Sequence, residues 1–385
     1  MYTCCSMDKD APPKIALVFD DLIQFGGAER LLLAAHEIWP EAPIYTSAVS
    51  KKWETLCGKK NINLHTSFMQ KFPLKERLNR FYSILGLHML AFETFDFSDY
   101  DLVVSISSRY AHGIITKPAT KHICYMNSPG RMFWDTAEYF SQEAWFIRLL
   151  KALITPFLNH ARTWDFSAAQ RVDYFIANSE IPQKRIEKYY KRKSEVIYPF
   201  VDSFPKQSQS NSDLENQNYF LVLTRLSAWK RVDIALKACR KLNLNLKIAG
   251  EGPAEKRLKK LAKKSPNVEF LGYIPNAEKW KYLANARALI MTQKEDFGIT
   301  PLEAMSAGTP VIAYKGGGAV ITVKPGETGE FFDEQDVRSL TNILRSFDPR
   351  NYRSKACRAQ AESFSKERFV SELKETVNRV YLGIP

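Results

Sequence analysis

Residues 288–314 read Ala-Leu-Ile-Met-Thr-Gln-Lys-Glu-Asp-Phe-Gly-Ile-Thr-Pro-Leu-Glu-Ala-Met-Ser-Ala-Gly-Thr-Pro-Val-Ile-Ala-Tyr, and this pattern predicts strand, turn, helix and strand in that order. The apolar run 288–292 predicts a buried strand, and Pro301 to Ala307 predict a helix that Gly308 ends. A second strand is predicted at 310–313. Strands that alternate with helices are typical of parallel sheets, whose ligands lie beyond the carboxyl ends of the strands. We therefore expect this turn to face a ligand.

The turn carries two carboxylates and the start of a helix. Glu295 is expected at the end of the strand, and Glu303 in the first turn of the helix. Backbone N–H groups from Phe297 through Gly298 and Ile299 to Thr300 are expected at the helix N-terminus, which favours phosphate. Each carboxylate can accept hydrogen bonds from different hydroxyl groups of one extended ligand. The arrangement suits a sugar nucleotide, with Glu295 on the sugar and Glu303 on the ribose.

Glu303 also has a purely structural interpretation. Thr300-Pro301-Leu302-Glu303 matches a capping box with proline at the first helical position. For Glu295 the structural alternative is a solvated loop carboxylate. The choice between these interpretations depends on a second group of residues, about seventy positions earlier in the chain.

That second group is a strand, a short basic loop and an amphipathic helix over residues 219–236, Tyr-Phe-Leu-Val-Leu-Thr-Arg-Leu-Ser-Ala-Trp-Lys-Arg-Val-Asp-Ile-Ala-Leu. Arg225 and Lys230 flank the loop. Two fixed cations beside a helix N-terminus can hold a diphosphate and neutralise the charge that develops when it leaves. Surface cations are common, so either residue alone carries little weight.

Taken together, the two groups resemble the C-terminal domain of the retaining family 4 glycosyltransferases (glycosyltransferase group 1) of GT-B fold. Further resemblances are residues 14–30, Lys-Ile-Ala-Leu-Val-Phe-Asp-Asp-Leu-Ile-Gln-Phe-Gly-Gly-Ala-Glu-Arg, and residues 123–135, Ile-Cys-Tyr-Met-Asn-Ser-Pro-Gly-Arg-Met-Phe-Trp-Asp. The chain is most similar to bacterial O-antigen and exopolysaccharide mannosyltransferases. The resemblance implies an α/β fold of two Rossmann-like parallel-sheet domains facing across a cleft.

The resemblance also implies roles for individual residues. Arg225 and Lys230 would stabilise the leaving diphosphate, Glu295 would orient the sugar, and Glu303 would bind ribose. Residues of the first half would complete the site: the turn Gly26-Gly27 on the donor side, with Asn127 and Arg131 nearer the acceptor.

Asn127 departs from the family pattern. Relatives usually carry His-Ser-Pro where this chain has Asn127-Ser128-Pro129. Asparagine can donate and accept hydrogen bonds, but it does not titrate near neutral pH as imidazole does. This departure weakens any acid–base role at that position. His112 and His122 lie nearby in sequence, and both are interpreted as structural residues.

The resemblance implies a hexosyltransferase, with mannose from GDP-mannose as the expected donor and a saccharide or lipid-linked saccharide as the acceptor. Two other classes remain open. A sugar-nucleotide epimerase of the same fold would bind the same donor and need titratable groups instead of an acceptor site. A non-catalytic carbohydrate- or membrane-binding protein could have kept the fold, because fold alone does not fix function.

The order of predicted elements divides the chain into two domains. Strands are expected at 14–19, 43–47, 101–106, 121–126, 173–178, 196–198, 219–224, 245–249, 268–271, 288–292, 310–313 and 329–332. The polar segment 205–218 has no apolar periodicity and predicts a linker or mobile loop. The expected division is therefore an acceptor-side domain at 1–204, a nucleotide-sugar domain at 219–365, and a C-terminal segment at 366–385 that crosses back. Its helix is expected at 368–381.

Composition limits the compartment and the partners. The 385 residues are 45% hydrophobic, and they carry a formal charge of +13. The length suits two α/β domains. The six cysteines have no metal-ligand spacing, the N-terminus lacks the apolar core of a signal peptide, and no apolar run reaches about 20 residues. A cytoplasmic location is expected, and peripheral contact with the inner membrane face is left open. Basic runs at 184–193 and 255–264 lack any nucleic-acid motif, so no nucleic acid is expected as a partner.

Membrane contact is left open by the segment 140–157. Its large apolar residues are interleaved with Arg148 and Lys151, as in an interfacial helix, and Pro156 is expected to kink or end it. A pair of buried core helices would have a similar pattern. An anionic membrane surface is therefore one candidate partner.

No metal cofactor is expected. Asp99-Tyr100-Asp101 matches the D-x-D pair that holds a divalent cation in some other glycosyltransferases. Here it precedes a predicted strand, at the end opposite the usual ligand crevice. Arg225 and Lys230 could neutralise the diphosphate without a metal.

Overall fold

The structure is a computed structural model that describes residues 12–136, 145–205 and 218–384. Its strands are β1 (Ile15–Phe19), β2 (Ile44–Thr46), β3 (Leu64–Thr66), β4 (Leu102–Ser107), β5 (Lys121–Met126), β6 (Tyr174–Ala177), β7 (Ser194–Val196), β8 (Phe220–Leu223), β9 (Leu246–Ala249), β10 (Val268–Gly272), β11 (Ala288–Met291), β12 (Val311–Tyr314) and β13 (Gly329–Phe332). The helices are α1 (Gly27–Ile38), α2 (Lys51–Lys59), α3 (Lys75–Ile84), α4 (Leu87–Glu93), α5 (Arg131–Trp134), α6 (Trp145–Gln170), α7 (Glu180–Arg185), α8 (Val232–Lys241), α9 (Glu255–Ala262), α10 (Asn276–Ala284), α11 (Ile299–Ser306), α12 (Ala319–Thr322), α13 (Val337–Ser346), α14 (Ser354–Glu362) and α15 (Lys366–Tyr381).

The described residues form two compact units, each built on one sheet. The first holds residues 12–134, 152–196 and 372–384, and the second holds the remainder of the described chain up to residue 371. Helices α6 and α15 contribute residues to both units. The change of unit falls at Val196, earlier than the expected 204. Of the predicted linker 205–218, residues 206–217 lie outside the described part of the chain.

All strand pairs in both sheets are parallel. The first unit has the order β3-β2-β1-β4-β5-β6-β7, and the second has β10-β9-β8-β11-β12-β13. In each sheet the chain builds outward in one direction and then in the other. The reversal falls between β1 and β4 in the first unit and between β8 and β11 in the second. The predicted class of two Rossmann-like α/β domains is confirmed.

The strands form because short apolar runs are covered on both faces by amphipathic helices. Leu17, Val104 and Ile123 are fully buried in the first sheet, as are Leu221 and Ile312 in the second. Both faces of the second sheet carry a separate hydrophobic cluster. This burial explains why these strands are near-continuous apolar runs and do not alternate.

Four sequence expectations differ from the observed elements. The edge strand β3 was not predicted, and β7 lies two residues before the expected 196–198. Pro156 does not end its helix, because α6 continues through it to Gln170. Helix α15 begins two residues before the expected Arg368.

Among the described residues, no helix combines the length and apolar character needed to span a bilayer.

Candidate functional site

The second sheet places two loops side by side at its point of reversal. The loop after β8 carries Arg225 and Lys230, and the loop after β11 carries Glu295. Because β8 and β11 are neighbours, both loops leave the same carboxyl edge. Thr292 Oγ1 ties them together by donating to the Lys230 carbonyl at 2.9 Å. The structure thus joins two groups of residues that are about seventy positions apart in sequence.

Lys230 and Glu295 form an ion pair. The Lys230 ammonium donates to Glu295 Oε1, and Gln293 Nε2 donates to the same oxygen at 2.8 Å. The side chains of Lys230 and Glu295 are 11% and 24% exposed. Lys230 Nζ also lies 4.1 Å from the centroid of the Trp229 ring. One cation and one carboxylate, both held in place, therefore share this edge.

Arg225 lies on the same loop but is exposed. Its neighbour Leu226 donates from its N–H to the Glu251 carbonyl at 2.8 Å. The loop approaches two glycines closely: a Cβ at Gly250 would lie 1.9 Å from the Thr224 carbonyl oxygen, and one at Gly252 would lie 2.4 Å from that of Leu226. These glycines let the backbone hold Arg225 in place. Neither glycine was predicted, although Gly-Glu-Gly-Pro directly after a predicted strand indicates such a turn.

A second glycine pair supports the loop that carries Glu295. A Cβ at Gly317 would lie 2.4 Å from the Glu295 carbonyl oxygen, and one at Gly318 would lie 2.0 Å from that of Phe297. Gly318 N–H donates to the Glu295 carbonyl at 2.8 Å. This contact was also missed, and its signal was the run of three glycines at 316–318.

The start of α11 differs from the sequence prediction. Gly298, at φ +84°, is the N-cap, and the helix begins at Ile299. Thr300 and Pro301 are therefore inside the first turn, where proline is tolerated because the N–H groups there have no intrahelical partner. The Phe297 side chain is buried and stacks on Tyr198 at 5.8 Å, so only its backbone can contribute to a ligand site.

Glu303 is the fifth residue of α11 and not part of its first turn, so the capping-box interpretation is wrong. Its Oε1 accepts a hydrogen bond from Lys279 Nζ at 2.7 Å, and both side chains are only 8% exposed. Glu295 also lies four residues beyond the end of β11, in the loop and not at the strand end. Lys279, on α10, was missed because its charged sequence neighbours suggest a solvated helix face.

The first unit carries the remaining predicted residues: Gly26, Gly27, Asn127 and Arg131. Gly26 and Gly27 follow β1 and begin α1. Gly26 N–H donates to Glu29 Oε2 at 2.8 Å, and the carboxylate is buried. Burial raises the pKa of Glu29 to about 7, and the nearby Asp21 charge adds to the rise. The glycine turn is therefore closed by a carboxyl group that titrates near neutrality.

Two aspartates behind this turn were not predicted. Asp20 accepts hydrogen bonds from the N–H groups of Ser108 at 2.7 Å, Tyr110 at 2.8 Å and Ala111 at 2.7 Å. Asp21 forms an ion pair with Arg109. These contacts link the carboxyl end of β1 to the loop after β4, at the point of reversal of the first sheet. The signal in the sequence was the acidic pair directly after an apolar strand.

Asn127 directly follows β5, and its N–H donates to the Ser107 carbonyl at 2.8 Å. The buried side-chain Nδ2 has no hydrogen-bond partner among the described residues. A buried donor in this condition requires an explanation. The adjacent Ser128 is held by Arg185, whose Nη1 donates to its Oγ at 3.1 Å. Arg131 begins the short helix α5, four residues after Asn127.

The histidines of the first unit are structural. His122 Nε2 lies 2.8 Å from Ser105 Oγ, and burial lowers the pKa of His122 to about 3. His112 is buried, with its Nε2 3.2 Å from Asp165 Oδ1. Neither side chain replaces the histidine that relatives place before Ser-Pro.

Asp101 lies at the amino end of β4. Its Oδ2 accepts a hydrogen bond from the Lys14 N–H at 2.8 Å. The D-x-D pair is therefore at the end of the sheet opposite the glycine turn. Within the described ranges, no three His, Cys, Asp or Glu side chains cluster as metal ligands would. The four cysteines in these ranges are buried and unbridged.

Comparison with known proteins gives one family match. Residues 203–363 match the family described as "Glycosyl transferases group 1". Alpha-1,3/1,6-mannosyltransferase alg-2 of Neurospora crassa is 45% identical over 83 residues, 21% of this chain and 18% of that protein. ALG2 of Dictyostelium discoideum is 27% identical over 258 residues, 54% of this chain and 61% of that protein. The matches span less than two thirds of the length of either relative.

A longer match and two solved structures extend the comparison. ALG2 of Candida glabrata is 25% identical over 399 residues, covering 87% of this chain and 82% of that protein. Sucrose-phosphate synthase of Thermosynechococcus elongatus has a TM-score of 0.72 at 17% identity, covering 96% of this chain and 100% of its own. Anabaena HepE, in complex with UDP and glucose, has a TM-score of 0.70 at 20% identity, covering 95% and 99%. At these identities the structures show a shared fold only. Residues 203–363 therefore resemble the group 1 glycosyltransferases, and the chain shares with these solved structures a fold of two Rossmann-like parallel-sheet domains of the GT-B class.

Proposed function

We propose that this protein transfers a mannosyl group from GDP-mannose to a saccharide or lipid-linked saccharide, with retention of configuration. The observation that carries the proposal is the Lys230–Glu295 pair at the reversal point of the second sheet. Mannose is inferred from the relatives named as mannosyltransferases. Retention and family 4 membership are inferred from the motif resemblance.

The ion pair suits the reaction because its two members meet different parts of one donor. A carboxylate accepts hydrogen bonds from sugar hydroxyls, and an ammonium group neutralises phosphate. Placing them in contact brings the sugar next to the departing diphosphate. Arg225 adds a second cation on the same loop, and the N-terminus of α11 adds oriented N–H groups. On this proposal no metal cofactor is required.

In the proposed step, the bond between the anomeric carbon and the donor phosphate breaks. The acceptor oxygen bonds to the same face of that carbon, and its proton passes to an oxygen of the departing diphosphate. Charge develops on the phosphate, where Arg225 and Lys230 stabilise it. Glu303 would hold the ribose from within the second unit, while Asn127 and Arg131 would act on the acceptor side.

Calorimetry with GDP, UDP, ADP and their sugar conjugates, in the presence of a chelator, tests the proposal. GDP and GDP-mannose should bind, and Arg225→Ala should lose most of that affinity. Arg345→Ala is the matched control, because Arg345 is an exposed cation on α13 of the same unit. Preference for UDP or ADP would refute the donor assignment. Normal turnover by Arg225→Ala would refute the diphosphate role.

The two other classes give different results in the same assay. Conversion of the donor to an isomer without acceptor would identify an epimerase. A protein that binds none of the nucleotides, either with the chelator or with Mg²⁺ in its place, would be identified as non-catalytic.

A further inference from the structure

Helix α3 carries an apolar stripe that faces outward. The stripe consists of Leu74, Leu78, Phe81 and Leu85, with exposures of 62%, 37%, 54% and 55%. Leu78 and Phe81 lie within α3, and Leu74 and Leu85 are its N-cap and C-cap. The spacing of four, three and four residues is that of one helix face. A helix on a globular domain normally turns such a stripe toward the core. Here the stripe lies on the solvent side.

The inward face of α3 is occupied by other residues, so the orientation of the helix is fixed. Tyr82 and Ser83 are buried, and Tyr82 OH donates to the Pro73 carbonyl at 2.8 Å. Asn79 Nδ2 donates to Asp21 Oδ2 at 3.3 Å, while its Oδ1 lies 2.9 Å from His88 Nε2. Rotation of the helix to bury the stripe would break all of these contacts. Exposure of the stripe therefore follows from the way α3 is seated.

Leu74 adds a sign of backbone strain at the start of the stripe. It is the N-cap of α3 and has φ +48°, in the left-handed region that disfavours a side chain with Cβ. Glycine, asparagine, aspartate or serine would suit an exposed N-cap better. Backbone strain of this kind clusters at functional sites and is a reason to look for a role. An exposed leucine in this conformation is explained if its side chain enters an apolar medium.

The charges around the stripe identify that medium. Lys71 and Arg77 are exposed, and Lys75 is half-buried; the exposed acidic residue in this segment is Glu76. The whole chain carries a formal charge of +13. An apolar stripe bordered by an excess of cations matches the boundary between acyl chains and anionic headgroups. A second copy of this chain would bring the same positive charges together and would be repelled.

We propose that α3 lies on an anionic lipid bilayer, with the stripe inserted at the headgroup boundary. This binding does not depend on the donor chemistry. One consequence does rest on the proposed function: through Asn79 and Asp21, the bilayer face is one contact away from the glycine turn. A lipid-linked acceptor would then reach the carboxyl edge of the first sheet without leaving the membrane. The contact lies at 74–85, a different stretch of the sequence from the segment 140–157.

Flotation of the full chain with lipid vesicles tests the proposal. The vesicles are phosphatidylcholine alone, or phosphatidylcholine with phosphatidylglycerol. The wild type should float with the anionic vesicles and much less with the neutral ones, and binding should fall as salt rises. Phe81→Ser combined with Leu85→Ser should weaken vesicle binding at least tenfold. Lys71→Gln with Arg77→Gln should lower binding to anionic vesicles while leaving the fold unchanged.

The matched control replaces two exposed apolar residues elsewhere on the first unit, Ile115→Ser with Leu382→Ser, at 48% and 67% exposure. This control should float like the wild type. Equal binding by the stripe variant and the wild type would overturn the proposal. Failure of the wild type to bind anionic vesicles would also overturn it. So would a wild-type dimer that the stripe substitutions dissociate while the stripe variant still binds vesicles normally.

Calorimetry on the stripe variant separates this proposal from the proposed function. Unchanged GDP affinity with lost vesicle binding assigns the defect to the bilayer contact. Absence of GDP binding by the wild type would refute the donor assignment without affecting the conclusion from flotation.

Discussion

The buried ion pair between Lys279 and Glu303 allows a prediction whose size can be worked from the structure. Lys279→Met keeps the length of the side chain and its packing against Trp280, whose ring centroid lies 4.7 Å from Lys279 Nζ. The substitution removes the positive charge that pairs with Glu303 and the hydrogen bond that Lys279 Nζ donates to it. Because both side chains are 8% exposed, water replaces little of the lost interaction. The variant should therefore be destabilised.

Removing one partner of a buried ion pair costs about 3–5 kcal/mol. The pair keeps a small exposure, so we take the lower end, about 3 kcal/mol. For a domain the size of the second unit this corresponds to a fall in Tm of about 6–12 °C. Replacing both residues, Lys279→Met with Glu303→Leu, also removes the buried carboxylate and should recover most of the loss.

Urea unfolding of the four proteins in this double-mutant cycle measures the coupling, which should be about 2 kcal/mol or more. Lys259→Met is the control, because its pair with Glu255 has the same 2.7 Å separation but exposures of 56% and 28%. Its cost should stay below about 1 kcal/mol. A cost for Lys279→Met as small as for this control would refute the buried-pair reasoning. Unchanged GDP affinity in folded Lys279→Met would show that Lys279 does not position Glu303 for ribose.

Three further predictions concern the two glycine turns and the family departure. Burial makes the folded chain favour protonated Glu29 and raises the pKa of this group from its ordinary 4.5 to about 7. Its contribution to stability is therefore fully present below pH 4.5 and is lost as the pH rises to 7. Relative to Glu29→Gln, the wild-type free energy of unfolding should fall by up to about 3 kcal/mol across that window, and a pH-independent difference would contradict it. Gly318→Ala places a Cβ 2.0 Å from a backbone oxygen. It should lower the free energy of unfolding by about 1–3 kcal/mol and remove most of the transfer rate. Gly58→Ala is the control, because a Cβ there meets open space, and urea unfolding should show no loss of stability. Asn127→His should change the transfer rate: a large gain would mark the asparagine as a loss of function, and an unchanged pH–rate profile would exclude a titrating role at this position.

The central strands of both sheets were predictable because they are apolar runs buried on both faces. β1 and β11 are examples, and their ends were placed within one residue. The edge strand β3 was not predicted, because Leu64-His65-Thr66 is too short and too polar to show a period. Of the two outcomes expected at Pro156, a kink or an end, the end does not occur, because a long helix can lose one backbone hydrogen bond at an internal proline and continue.

Sequence reasoning placed Glu303 on α11 but gave it the wrong position on the helix. The capping-box pattern suggested a start at Pro301, whereas the left-handed conformation at Gly298 starts the helix earlier. Local patterns are weakest at such boundaries, since the neighbouring loops determine where the first turn closes. The partner of Glu303 could not be found by pattern at all, because Lys279 belongs to a different helix.

The sequence by itself determined the two parallel sheets, the family resemblance and the residue types of the candidate site. These features depend on local runs and on motifs that are complete within about twenty residues. Only the tertiary structure decided the pairs: Lys230 with Glu295, Lys279 with Glu303, and Asp21 with Arg109. Each pair joins residues at least twenty-four positions apart, brought together by the order of strands and the packing of helices. The outward direction of the stripe on α3 was likewise decided by the structure. A helical period predicts that an apolar face exists, but it does not predict which face of the helix the rest of the chain packs against.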